Sequence, residues 1–242
     1  MDITLFGVRI DALTRNQALS RIITACRKGE TLQVVTANPE IVLAAKDDPA
    51  LRDLINGAGL VTADGNGILL AAKWLASPLP DRVTGIDLAE DLCREAAANG
   101  LRLYFLGAKP GVARDAAGRM QARYPGLTIA GSWHGYFKGH EDRVLADIKA
   151  SQPDILLVGL GAPAQEYFIQ AQQKNLGVPV AIGVGGSFDV MSGRIRRAPA
   201  SVQRMRLEWA WRFAADWRRL PRLLKLVRFM GAVGLEKIRR LV

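Results

Sequence analysis

A chain of 242 residues, 49% of them hydrophobic, can bury a substantial core as one large domain or as a domain with an appendage. Its opening, MDITLFGVRIDALTRN, lacks the basic start and apolar run of a secretory leader, and no window approaches the roughly 18 uninterrupted apolar residues of a membrane span. The net charge of +10 is lopsided: residues 194–242 hold 14 Lys and Arg against three acids, while residues 1–193 hold 19 against 20.

In chain order, ITLFGVRI predicts a small N-terminal hairpin with Gly7 at its bend. Apolar runs at 32–37, 59–63, 101–107, 127–132, 154–161 and 179–186 read as strands. Amphipathic stretches at 85–98, 111–123, 140–151 and 164–175 read as helices between them. The alternation predicts an α/β fold, a mainly parallel Rossmann-like sheet flanked by helices. The central runs are apolar on successive residues, which fits strands buried on both faces.

Open sheets of this kind bind ligands beyond the carboxyl ends of their strands. The residues that follow each apolar run are therefore candidates. In TANPEI, Thr36 and Asn38 end a strand; Pro39 sits just inside a helix start, so Asn38 reads as its cap or as a substrate contact. In ADGNG, Asp64 stands at a strand end before two glycines; it reads as a helix cap or as a catalytic carboxylate beside space cleared for a sugar. In GAKPG, Gly107 and Lys109 suit either a tight turn or a phosphate at a helix N-terminus.

GLGAPAQE offers Gly161 and Gln165; GVGGSFD offers Gly185, Gly186 and Asp189. Glycines after a buried strand let backbone approach a ligand, and Asp189 suits ribose hydroxyls. Together the two loops favour a nucleotide over simple strand–helix packing. No GxGxxG fingerprint is present, so no nicotinamide or flavin cofactor is expected. Cys26 and Cys93, far apart, read as reduced core thiols. His134 and His140 read as surface loop residues, and no metal site is expected.

The tail carries three of the five tryptophans and an apolar stripe every four residues at Met205, Trp209, Phe213 and Trp217. Pro221 should break or restart the helix, with Leu223, Leu226, Val227 and Met230 resuming the stripe. Such a segment suits packing on the body or an anionic membrane surface. A nucleic-acid partner ranks below these, because a large apolar stripe suits lipid better than a duplex.

TANPEIV, ADGNGI, RVTGIDL, FLGAKPGVA, GLGAPAQE, GVGGSFDVMSGRIRRAP and RLEWAWR, in this order over roughly residues 34–213, resemble the WecG/TagA/CpsF family of bacterial glycosyltransferases. The resemblance implies an inverting, metal-independent transfer of a sugar from UDP to a polyprenyl-diphosphate-linked sugar. N-acetylmannosamine, its uronic acid and glucose are the donor sugars it leaves open. It further implies peripheral attachment to the inner face of the plasma membrane, in the synthesis of cell-surface polysaccharide. Asp64 matches the family's proposed catalytic aspartate, with Thr36, Asn38, Arg82 and Gln165 beside it.

No D-x-D triplet is present to hold a divalent ion, so Arg or Lys must neutralise the departing diphosphate. Arg212 matches a family arginine, and Arg218, Arg219 and Arg222 are its candidate partners. Residues 1–193 are thus expected to form the catalytic body, and 194–242 a helical appendage that docks on the membrane and closes the site. Ala164 replaces a common family lysine, and Arg206 a commonly small residue. Two alternatives stay open, a scaffold that binds UDP-sugars without turnover and, ranked lower, a basic nucleic-acid module; self-association through the apolar tail is compatible with the leading reading.

Overall fold

The computed structural model describes residues 2–199, 201, 202, 205, 208, 210, 211 and 220–239. Strands β1 (Ile3–Leu5) and β2 (Val8–Ile10) form the expected antiparallel hairpin. Its turn residues, Phe6 and Gly7, have φ of 50° and 83°, the left-handed pair whose twist matches the flanking strands.

Then follow α1 (Arg15–Lys28), β3 (Leu32–Ala37), α2 (Pro39–Asp47), α3 (Pro49–Gly57), β4 (Leu60–Ala63), α4 (Asn66–Trp74) and α5 (Gly85–Asn99). The chain continues through β5 (Arg102–Gly107), α6 (Val112–Arg123), β6 (Thr128–Trp133), α7 (Glu141–Ser151) and β7 (Ile155–Gly159). Helix α8 (Ala164–Leu176), β8 (Val180–Gly183), α9 (Ser187–Met191) and α10 (Leu220–Arg239) complete the described elements. Strands β3 to β8 form one wholly parallel six-stranded sheet in the order β4-β3-β8-β7-β5-β6. Strands β7 and β8 stop short of their apolar runs, and the chain past each takes positive φ, 81° at Gly161 and 54° at Gly185.

Alternate strand residues serve opposite faces, as the pleat requires. Val34, Phe105, Leu157 and Ile182 face the core beneath α1, α5, α6 and α9. Val35 and Val61 face a core built with the hairpin, α2, α3 and α4, while Leu106 and Val158 face α7 and α8. Cys26 and Cys93 are buried free thiols, each pushed up to about 12 chiefly by burial.

Helix α10 belongs to the core on the hairpin side. Phe229 and Val233 are fully buried there, and Phe229 meets Phe6 edge-on at 5.9 Å. The stripe expected on this helix is rotated: Val227 is 63% exposed, and Leu226, Phe229, Met230 and Val233 turn inward. Phe229, three residues beyond Leu226, takes the central slot. Met205 is exposed, whereas Trp209, Phe213 and Trp217 lie outside the described residues. Among the described residues no helix is long and apolar enough to cross a membrane.

Candidate active site

A cleft of about 390 Å³ opens at the carboxyl ends of β4, β3, β8 and β7. Thr36, Asn38, Asp64, Arg82, Gly161, Gln165, Gly185 and Gly186 all line it. A wider groove of about 540 Å³ lies at the opposite ends of β3 and β4, where Arg21 and Glu30 are its ionisable residues. Only the first gathers ionisable groups from several strand ends.

Asp64 is not the cap of α4. That role falls to Gly65, at φ 95° and without a side-chain cap bond. The Asp64 backbone N–H donates to Ala37 at 2.8 Å, which ties the end of β4 to the end of β3. Its carboxylate accepts from the Gly85 N–H at 3.4 Å. Gly85 begins α5, so the carboxylate faces the positive end of that helix.

The second glycine of ADGNG, Gly67, lines the cleft and has a packing use as well. A Cβ at Gly67 would lie 2.7 Å from Pro39 and 2.9 Å from Leu226. Gly67 therefore clears space for α2 and α10 to close around α4. The helix from the tail is in this way a wall of the cleft, and Lys225 and Leu226 line it. Lys225 pairs with Glu40, and Arg228 lies 3.6 Å from Asp47, both on α2.

Asn38 caps α2, with Oδ1 accepting from Glu40 and Ile41 N–H groups at 2.9 and 3.1 Å. The cap uses the oxygen only; the Nδ2 group brings two further donors to the cleft wall. Thr36, nearly buried, donates its hydroxyl to the Gly183 carbonyl at 2.8 Å. Gln165 Oε1 accepts from the Gly185 N–H at 3.0 Å, which joins the β7 and β8 loops.

Arg82 contacts Glu208 at 3.3 Å. Glu208 also lines the cleft, and sequence reasoning passed over it. Its signal was slight: one acid within RLEWAWR, a basic and aromatic run.

Three candidates fall elsewhere. Gly107 ends β5, and a Cβ there would come within 2.4 Å of the Gly159 carbonyl, so strand packing accounts for it. Lys109 is exposed in the turn before α6. Asp189, in α9, does not line the cleft; its backbone carbonyl accepts from Ile195 N–H at 2.9 Å. Arg212, Arg218, Arg219 and Arg206 lie outside the described residues, and the Arg222 side chain is likewise undescribed. Ala164 is exposed at the start of α8. Among the described residues no three His, Cys, Asp or Glu side chains cluster to hold a metal.

The family model described as the glycosyl transferase WecG/TagA/CpsF family matches residues 3–241. Curated relatives from Staphylococcus aureus strains NCTC 8325 and COL are 35% identical over 237 residues, covering 97% of this chain and 93% of their own length. The MRSA252 protein is similar to the same extent. Each is named N-acetylglucosaminyldiphosphoundecaprenol N-acetyl-beta-D-mannosaminyltransferase.

Proposed function

The chain belongs to the WecG/TagA/CpsF family of glycosyl transferases, and from that premise we propose that it moves N-acetylmannosamine from UDP to a polyprenyl-diphosphate-linked N-acetylglucosamine. The relatives' names supply the acceptor and the sugar. The observation that carries the chemistry is Asp64, set in the cleft at the rim of the sheet with the N-terminus of α5 against it.

Asp64 acts as general base. As it takes the acceptor hydroxyl proton, that oxygen bonds to the anomeric carbon from the side opposite the diphosphate. The carbon–oxygen bond to UDP breaks, and its electron pair leaves with the diphosphate, so the configuration inverts. Asn38 Nδ2 and Gln165 orient the sugar, and Thr36 braces the β3 end against β8.

No metal is needed if the chain supplies the cations. Arg82 and Lys225 line the cleft; Arg212, Arg218, Arg219 and Arg222 add to them from the tail. The α4 N-terminus, which has no side-chain cap, favours an anion at the same wall. The tail docks on the inner membrane surface, where the lipid acceptor resides, and closes over the cleft.

The test is incubation of the full-length protein, in EDTA, with a short-chain lipid-diphosphate-GlcNAc and UDP-sugars supplied singly. Product is followed by mass spectrometry. Acceptor-dependent product from UDP-N-acetylmannosamine, of inverted configuration by NMR, is expected. UDP binding without any product would favour the scaffold instead.

A further inference from the structure

Glu166 follows Gln165 in the first turn of α8 and is only 1% exposed. No step of the proposed transfer uses it. Its Oε1 accepts from Gln165 Nε2 at 2.8 Å, and its backbone carbonyl accepts from Gln33 of β3 at 3.2 Å. Its second carboxyl oxygen, Oε2, is buried with no hydrogen-bond partner among the described residues. Burial pushes the carboxyl up, opposed by the hydrogen bonds from Gln165 and its own backbone N–H; no ionisable neighbour among the described residues contributes. A buried carboxylate with no cation beside it among the described residues costs far more than the neutral acid.

The place for this pair is kept open by β8. A Cβ at Gly183 would lie 2.5 Å from Gln165 Nε2 and 3.0 Å from Glu166 Oε1. The Gln165 amide is consequently gripped from both ends. Its oxygen takes the Gly185 N–H, and its nitrogen gives one N–H to Glu166. A flipped amide would set donor against donor at Gly185, and at Glu166 it would set its oxygen against Oε1, the unprotonated oxygen of an acid whose proton is on Oε2. One Nε2–H remains, on a residue that lines the cleft.

We propose that Glu166 is a positioning residue: as a neutral carboxylic acid it locks the Gln165 amide so that the remaining N–H meets an oxygen of the bound donor. The proposal rests on the glycosyltransferase function given above, and it adds a second carboxyl group whose task requires the proton that Asp64 must lack.

Two measurements on the full-length protein test it. In protein labelled with ¹³C at Glu side chains, the carboxyl resonance that disappears in Glu166→Gln should keep its protonated position at pH 7. A carboxylate position there overturns the proposal. In the transfer assay, Glu166→Gln carries an acceptor oxygen and a donor group where the neutral acid has them, and should stay within about threefold of wild type in kcat/KM. Glu166→Ala leaves the Gln165 nitrogen without its acceptor and should lose about tenfold or more, in protein shown to be folded.

Equal kcat/KM in all three proteins, or equal loss in both variants, overturns the proposal. A merely structural role would lower stability without separating the two variants in kcat/KM. If Glu166→Ala does not fold, Glu166→Met fills the space without an acceptor and takes its place. A wild type that transfers no sugar would overturn the reaction assignment, and the carboxyl resonance would still decide whether Glu166 carries its proton.

Discussion

Arg82 and Glu208 stand 126 positions apart in the chain and meet at the cleft wall, guanidinium to carboxylate, at 3.3 Å. The other Glu208 oxygen lies 3.5 Å from Arg197, and Arg197 reaches Asp87 at 2.5 Å. Asp87 in turn takes the Thr84 hydroxyl at 2.6 Å and lies 3.8 Å from Arg15. Charges alternate along this line, so each carboxylate sits between cations. The line fastens the chain beyond β8 to the first turn of α5, the helix whose N-terminus faces Asp64. It also explains how an acid can line the cleft proposed to hold a diphosphate: two guanidinium groups neutralise it.

Arg197→Met should therefore cost about 3 kcal/mol in urea unfolding, since it leaves Asp87 and Glu208 nearly buried without their shared cation. The cost should depend on pH. Burial acts to raise the Asp87 carboxyl, but hydrogen bonds from Thr84 and Arg197 and the charges of Arg197 and Arg15 outweigh it and hold it below its ordinary value. A carboxyl held low stabilises the fold above its unfolded pKa and loses that contribution as pH falls through the folded one. The gap between wild type and variant should be full at pH 7 and should close below about pH 4. A gap indifferent to acid would take Asp87 out of the account.

Phe229→Ala should destabilise the whole protein by about 3–5 kcal/mol, the usual cost of emptying a fully buried aromatic site. The basic tail begins near residue 194 by composition, yet this tail residue fills the core against Phe6. One cooperative transition with a lowered midpoint is expected. A change within about 0.5 kcal/mol, as at surface positions, would show that α10 adds nothing to that core.

Much of this fold was legible from periodicity. The apolar run at 32–37 coincides with β3, and Asn38 caps α2 with Pro39 at its first position, as the TANPEI spacing implies. The lateral order of the strands was not legible, because each strand end looks alike along the chain. The order β4-β3-β8-β7-β5-β6 sets the β5 end three strands away from β3, with β8 and β7 between, which is why Gly107 and Lys109 miss the cleft while Gly161 and Gly185 reach it. Glu208 and Arg197 were hidden for another reason. A long-range ion pair leaves no period, and both residues look like ordinary polar positions in a charged segment. On α10, spacing alone allowed either neighbouring apolar face, and only the hairpin opposite selects Phe229 over Val227.

Asp64→Asn preserves the side-chain shape and the acceptor for the Gly85 N–H, but it removes the proposed base. Transfer should fall by about 10²–10⁴-fold in kcat, the usual range for a general base. UDP affinity by calorimetry should change by less than about threefold, because the cations proposed for the diphosphate are untouched. Unchanged turnover would assign the base elsewhere; a parallel loss of UDP binding would make Asp64 a binding residue.

The outer face of α10 should carry the protein onto anionic vesicles. Leu224, Val227, Leu235 and Ile238 are each at least 60% exposed, beside the exposed cations Arg228, Lys237 and Arg239. On the adjoining α4, Leu70 and Trp74 are each 43% exposed. Apolar side chains in the interface and cations at its headgroups are the two contributions that hold an amphipathic helix at a membrane. Burying the exposed part of Leu235 or Ile238 is worth about 1.5 kcal/mol each, so replacing both with Asn should weaken vesicle partitioning about 10²-fold. Neither side chain supports the core, so the unfolding midpoint should stay in place. Raised salt should weaken wild-type binding through the cations alone. Undiminished binding of the double variant would move the docking surface off this helix. Equal binding to neutral and anionic vesicles would remove the cations from it.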